Sequence, residues 1–63
     1  MKAKRFVLLE GLNERARGSE MGCLYALARL AKIPAEEALR GSQIWRLIPE
    51  EELPELIKKE GAL

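Results

Sequence analysis

Residues 21–32, MGCLYALARLAK, are apolar at almost every position, and Pro34 follows close behind. Leu and Ala are strong helix formers. Ser19 is a good N-cap and Glu20 suits the positive helix end, so the spacing predicts a helix over 19–32. Met21, Leu24, Leu27, Ala28 and Ala31 share one face, which Cys23 and Leu30 widen. The least hydrophobic strip runs Gly22, Ala26, Arg29, where two small residues would let another backbone approach. A helix apolar on most sides is a central helix, buried by its own chain or by a second one.

The chain has 63 residues, which is one small domain spanning residues 1–63. A domain of this length buries only about 60% of the surface its unfolded chain exposes. Extra stability comes from disulfides, a metal or a partner chain. Cys23 is the only cysteine, so no disulfide closes within the chain. With no His, no Asp and one thiol, the residues of a structural metal site are missing. Self-association remains, and the expectation is a homodimer with Met21, Gly22, Ala26, Leu30 and Trp45 in the interface. Cys23 reads as a small buried hydrophobe in a reducing compartment. The N-terminal apolar run extends only from Phe6 to Leu9, too short for a signal peptide or a membrane span. The expected location is therefore cytoplasmic, with no membrane contact. All ten acids are Glu, and the Glu/Lys/Arg-heavy composition resembles that of heat-adapted proteins.

KRFVLLEG, residues 4–11, is a continuous apolar run closed by Gly11, which predicts a strand buried on both faces. LNERARG, residues 12–18, is polar and reads as a loop or as one or two turns of helix. Pro34 stops the apolar helix and suits the first turn of a second one, AEEALR, with Gly41 as its C′ residue. Ile44, Trp45, Leu47 and Ile48 form strands readily, and Pro49 ends that run. A turn over Glu50–Glu52 and a helix starting near Pro54 follow, with Lys58 and Lys59 at its negative end and Gly61 terminating it. Residues 5–9 would pair with 43–48, a marginal two-stranded sheet unless a helix covers it. The fold class is α+β: a small helix-turn-helix-like domain with a central apolar helix, two short strands and a C-terminal helix.

A helix-turn-helix needs a small residue in the first helix, a tight turn, and an inward apolar residue in the second. Ala28 is the small residue, Ala31 precedes the turn, Ile33 and Pro34 occupy it, and Ala38 points inward. LARLAKIPAEEALR resembles the helix-turn-helix of small bacterial and phage DNA-binding proteins. SQIWRLIPEEEL resembles the segment after that motif in excisionase-type (MerR-like) domains, where a short strand with Trp and Arg leads into Ile-Pro and a Glu-rich helix start. The resemblance spans residues 27–57 and implies a DNA-binding regulator. The chain departs from the pattern at the turn, where Lys32 stands in place of the usual Gly, and in a second helix whose exposed positions are Glu36 and Glu37. Carboxylates there are repelled by phosphates.

Residues 1–35 carry a balance of +4 and residues 36–63 a balance of −3. A basic half points to a polyanion, whereas complementary halves point to pairing within the fold or across a dimer. The cations that would meet phosphates are Lys2, Lys4, Arg5, Arg15, Arg17, Arg29 and Lys32, flanked by Arg40 and Arg46. Trp45 reads as a core residue under its strand, or, if exposed beside Arg46, as a stacking site. Ser19 and Ser42 have no catalytic partners, and no glycine-rich phosphate cradle is present, so no enzyme activity and no cofactor are expected. Two functions follow: a regulator binding nucleic acid through its basic half, or a protein–protein interaction module.

Overall fold

The computed structural model describes residues 4–41 and 44–61, with the backbone alone at 60 and 61. The apolar run forms β1, Phe6–Glu10, in which Val7, Leu8 and Leu9 are all buried. It is the middle strand of a three-stranded antiparallel sheet. One neighbour is β2, Asn13–Gly18, and the other is β3, Trp45–Pro49. The expected pairing of the first strand with the Trp45 segment is present, in the register Leu8 to Leu47 and Val7 to Ile48.

Residues 13–18 are a strand, neither loop nor helix, and this corrects both alternatives and the count of two strands. Gly11 and Leu12 make the two-residue turn between β1 and β2, and Gly11 has φ 67°. Glycine at the first central position is what a type II′ hairpin turn requires. β2 pairs with an extra residue between Ala16 and Glu14, since Leu8 faces Ala16 while Leu9 faces Glu14. Its polar sequence suits an edge strand, whose outer side needs no apolar alternation.

Side chains alternate across a sheet. Leu8 faces the helices and joins Cys23, Leu27 and Ala38 in one buried cluster, with Phe6, Ala16 and Leu47 packed against it. Val7 and Leu9 point to the opposite face, as does Ile48, the partner of Val7. There Ile48 shares a cleft of about 180 Å³ with Leu56 and Lys59 of the C-terminal segment.

The apolar helix is α1, Glu20–Ala31, and the Ser19 hydroxyl accepts from the Gly22 N–H at 3.0 Å. Only Cys23 and Leu27 are fully buried on it. Met21 and Tyr25 are 75% and 66% exposed, so α1 is an outer layer with one buried face and not a helix enclosed by its own chain. Leucine and alanine content reports helix propensity as well as burial, and here propensity accounts for much of it. Lys32 ends α1 in the left-handed region, φ 62°, with its N–H donating to the Ala28 carbonyl at 2.9 Å. It takes the conformation that glycine takes in such turns.

The second helix is α2, Ala35–Gly41. Pro34 stands just before it, with its carbonyl accepting from the Ala38 N–H at 3.0 Å, and Gly41 is its last residue, not the one beyond. Ala38 is buried in one cluster with Cys23 and Leu27 of α1. Ser42 and Gln43 lie outside the described residues. After β3, a 3₁₀ turn over Glu50–Glu52 leads into α3, Leu53–Leu56, with Pro54 in its first turn, and then a wider turn over Ile57–Gly61.

Lys32 has a side chain where the backbone favours none. Lys32→Gly should be about 0.5–1 kcal/mol more stable, and Lys32→Val less stable, in urea denaturation with an unchanged m-value.

Candidate interaction surface

The cations are spread over elements that the fold brings beside acids. Arg17 of β2 binds Glu14 through two bonds of 2.6 and 3.0 Å and reaches Glu50 at 3.1 Å. Arg5 meets the same Glu50 oxygen at 3.2 Å. Arg15 lies 3.5 Å from Glu10. Glu50 can reach both arginines because its N–H donates to the Arg5 carbonyl at 2.8 Å, which extends the β1–β3 ladder beyond Pro49. Arg5, Glu50, Arg17 and Glu14 thus form a chain of alternating charge, and the Arg15–Glu10 pair stands apart from it. Hydrogen bonds from Arg17 hold the Glu14 carboxyl below its ordinary range, and the same contact raises the Arg17 guanidinium.

The expected phosphate-binding set is therefore divided. Arg5, Arg15 and Arg17 are already ion-paired. Lys2 lies outside the described residues. Arg46 is half-buried in β3, opposite Leu9. Among the described residues, Lys4, Arg29, Lys32 and Arg40 form no ion pair. Arg29 lies over the Tyr25 ring, 5.8 Å from its centroid, and Lys32 occupies the turn after α1. Glu36 and Glu37 are exposed in the first turn of α2.

The expected interface residues are likewise separated. Met21 and Gly22 are exposed, and Leu30 is 42% exposed. Ala26 is half-buried and packed against the core cluster. Trp45 is half-buried, and it packs against the same cluster while also lining a surface groove.

That groove, about 660 Å³, lies between the end of α1, α2 and the start of β3. Ala31, Ala38 and Trp45 line it together with Leu30, Ile33 and Ile44. The last two are 44% and 54% exposed. Glu37 supplies a carboxylate to the lining. A groove of this size falls in the range of binding pockets, roughly 300–1,000 Å³. Ile33, Ile44 and Glu37 were not marked as interface residues by the sequence. For Ile33 and Ile44 the signal was present: large aliphatic residues in the two short connections, where polar residues are the rule.

Cys23 donates from Sγ to the Phe6 carbonyl at 3.5 Å, and burial pushes its thiol up. Both describe a packed residue, not a nucleophile. No helix among the described residues is long and apolar enough to cross a membrane. Comparison of the chain with protein-family models, characterised proteins and solved structures finds no match.

The depressed Glu14 carboxyl contributes stability that is complete above its unfolded pKa and is lost as pH falls through its folded value. Glu14→Gln should lower the Tm slightly near neutral pH. The gap from wild type should close as pH is lowered from about 7 to about 3, and it should shrink in high salt.

Proposed function

We propose that the chain is a protein-interaction module and that the groove between α1, α2 and β3 is its docking site. The observation that carries this reading is the gathering of Leu30, Ile33 and Ile44 in exposed positions around one concave surface with Trp45 in its wall. Exposed apolar residues that stand singly need no explanation, whereas a contiguous set around a cleft marks a binding surface. Aromatic anchors also tend to dominate such surfaces. The groove takes an apolar segment, and Glu37 favours one that carries a cation.

Trp45 is the only tryptophan, so its fluorescence reports on the groove directly. A synthetic amphipathic helical peptide, Leu-rich on one face with Lys beside that face, should shift the Trp45 emission saturably. Ile33→Glu should weaken that binding at least about tenfold, a change of about 1.4 kcal/mol. An unchanged emission, or equal binding by Ile33→Glu, would count against the reading.

A second reading, phosphate binding by the helix-turn-helix-like unit, is favoured by Arg29 and Lys32 standing near its turn without carboxylate partners among the described residues. Such contacts position a duplex without reading bases. Anisotropy titration with mixed-sequence duplex should then show steep salt dependence. Arg29→Ala combined with Lys32→Ala should reduce the slope of log K against log salt by about one to two. No binding by wild type near 50 mM salt, on the order of the lowest ionic strength at which such contacts are compared, removes this reading and leaves the first.

A further inference from the structure

We propose that the occupant of the groove is the outer ridge of α1 from a second copy of the chain, in a head-to-tail contact. This rests on the docking reading above. Met21, Tyr25 and Arg29 follow one another at four-residue spacing and so stand in a row along α1. Met21 and Tyr25 are the two most exposed large hydrophobic residues among those described, at 75% and 66%. Arg29 lies across the Tyr25 ring, which gives the row an apolar body and a cationic end.

The groove has the complementary composition. Among its described lining residues Glu37 is the one that carries a charge, and most of the others are apolar. Met21 and Tyr25 entering it would leave water together with Leu30, Ile33 and Ile44. Arg29 would then bring its charge toward Glu37. A neutral or acidic segment would leave Glu37 beside apolar surface without a counter-charge, which disfavours it.

The two halves cannot meet within one molecule. Tyr25 and Leu30 are both on α1, and at 100° per residue they point about 140° apart. One side of the helix therefore carries the ridge, and another helps to wall the groove. A ridge and a groove on different sides of one chain make a heterologous contact, in which each copy offers a ridge to one neighbour and a groove to another. Such contacts continue into a ring or a filament and do not stop at two.

The test uses two full-length variants. Tyr25→Glu spoils the ridge and leaves the groove intact; Ile33→Glu spoils the groove and leaves the ridge intact. Both positions are exposed, and circular dichroism checks that the fold is kept. In sedimentation equilibrium the wild type should grow beyond a dimer as concentration rises. Each variant alone should remain a monomer, while their equimolar mixture should form a heterodimer and grow no further. The reversed pair Glu37→Arg with Arg29→Glu in one chain should assemble better than Glu37→Arg alone. A wild type that stays monomeric, one that stops at a dimer, or a mixture that stays monomeric would overturn the proposal. If the helical peptide still shifts Trp45 under those conditions, the docking reading stands and only the second copy is withdrawn. If the peptide fails as well, the groove reading falls with it.

Discussion

The burial of three consecutive residues, Val7, Leu8 and Leu9, constrains everything else in this molecule. A strand with apolar side chains on both faces needs cover above and below, and its backbone needs a hydrogen-bonding partner on each side. The chain meets the second demand from two directions. β2 arrives immediately through the Gly11–Leu12 turn, and β3 arrives only after both helices have passed. Since β2 and β3 flank β1, the helical pair is also the connection that carries the chain from one edge of the sheet to the other. Crossing over the Leu8 face, it covers that face on the way. The α1–α2 pair is thus the means of closing a three-stranded sheet.

This dependence explains which parts were legible from residues alone. β1 was readable because its apolar run is continuous, and α1 because Ser19, its Leu/Ala body and Pro34 all agree. β3 and its pairing with β1 were readable from the second apolar run. β2 was not, because NERARG has no strand pattern of its own. Its conformation is decided by the unpaired edge of β1, a tertiary demand that local propensity does not contain. The orientation of α1 was obscured for a different reason. Met21 falls on the apolar face of a helix of Leu and Ala, but the sheet offers one face to that helix and full burial stops at Cys23 and Leu27.

Charge shows a similar gap between composition and arrangement. The basic first half and acidic second half suggest a polyanion partner, yet Glu50 returns to the sheet and meets Arg5 and Arg17. Exposed ion pairs contribute only about 0–1 kcal/mol each, so these do little to hold the fold together. Their larger effect is on the field, because an arginine engaged by a carboxylate attracts phosphate less strongly. The charge asymmetry is in this way partly cancelled inside the molecule. Arg29 and Lys32, near the turn between the helices, are among the described cations that these ion pairs leave out.

A small sheet with one helical layer leaves more apolar side chains than it can enclose. Leu30, Ile33 and Ile44 stand partly exposed around the groove at the end of α1, the turn and the start of β3, and Met21 and Tyr25 stand on the far side of α1. Placing a large aliphatic residue in water forgoes roughly 1.5–3 kcal/mol of burial. Among the described residues, the core that could offset this is Val7, Leu8, Leu9, Cys23, Leu27 and Ala38 with their half-buried neighbours. Ile33 and Ile44 each leave about half of their surface in water, at 44% and 54% exposure. What isoleucine adds there is a wall for a groove, and a wall gains free energy only when something fills it. Under the proposed docking, contact with another polypeptide would complete at the surface around Trp45 the burial that the core begins.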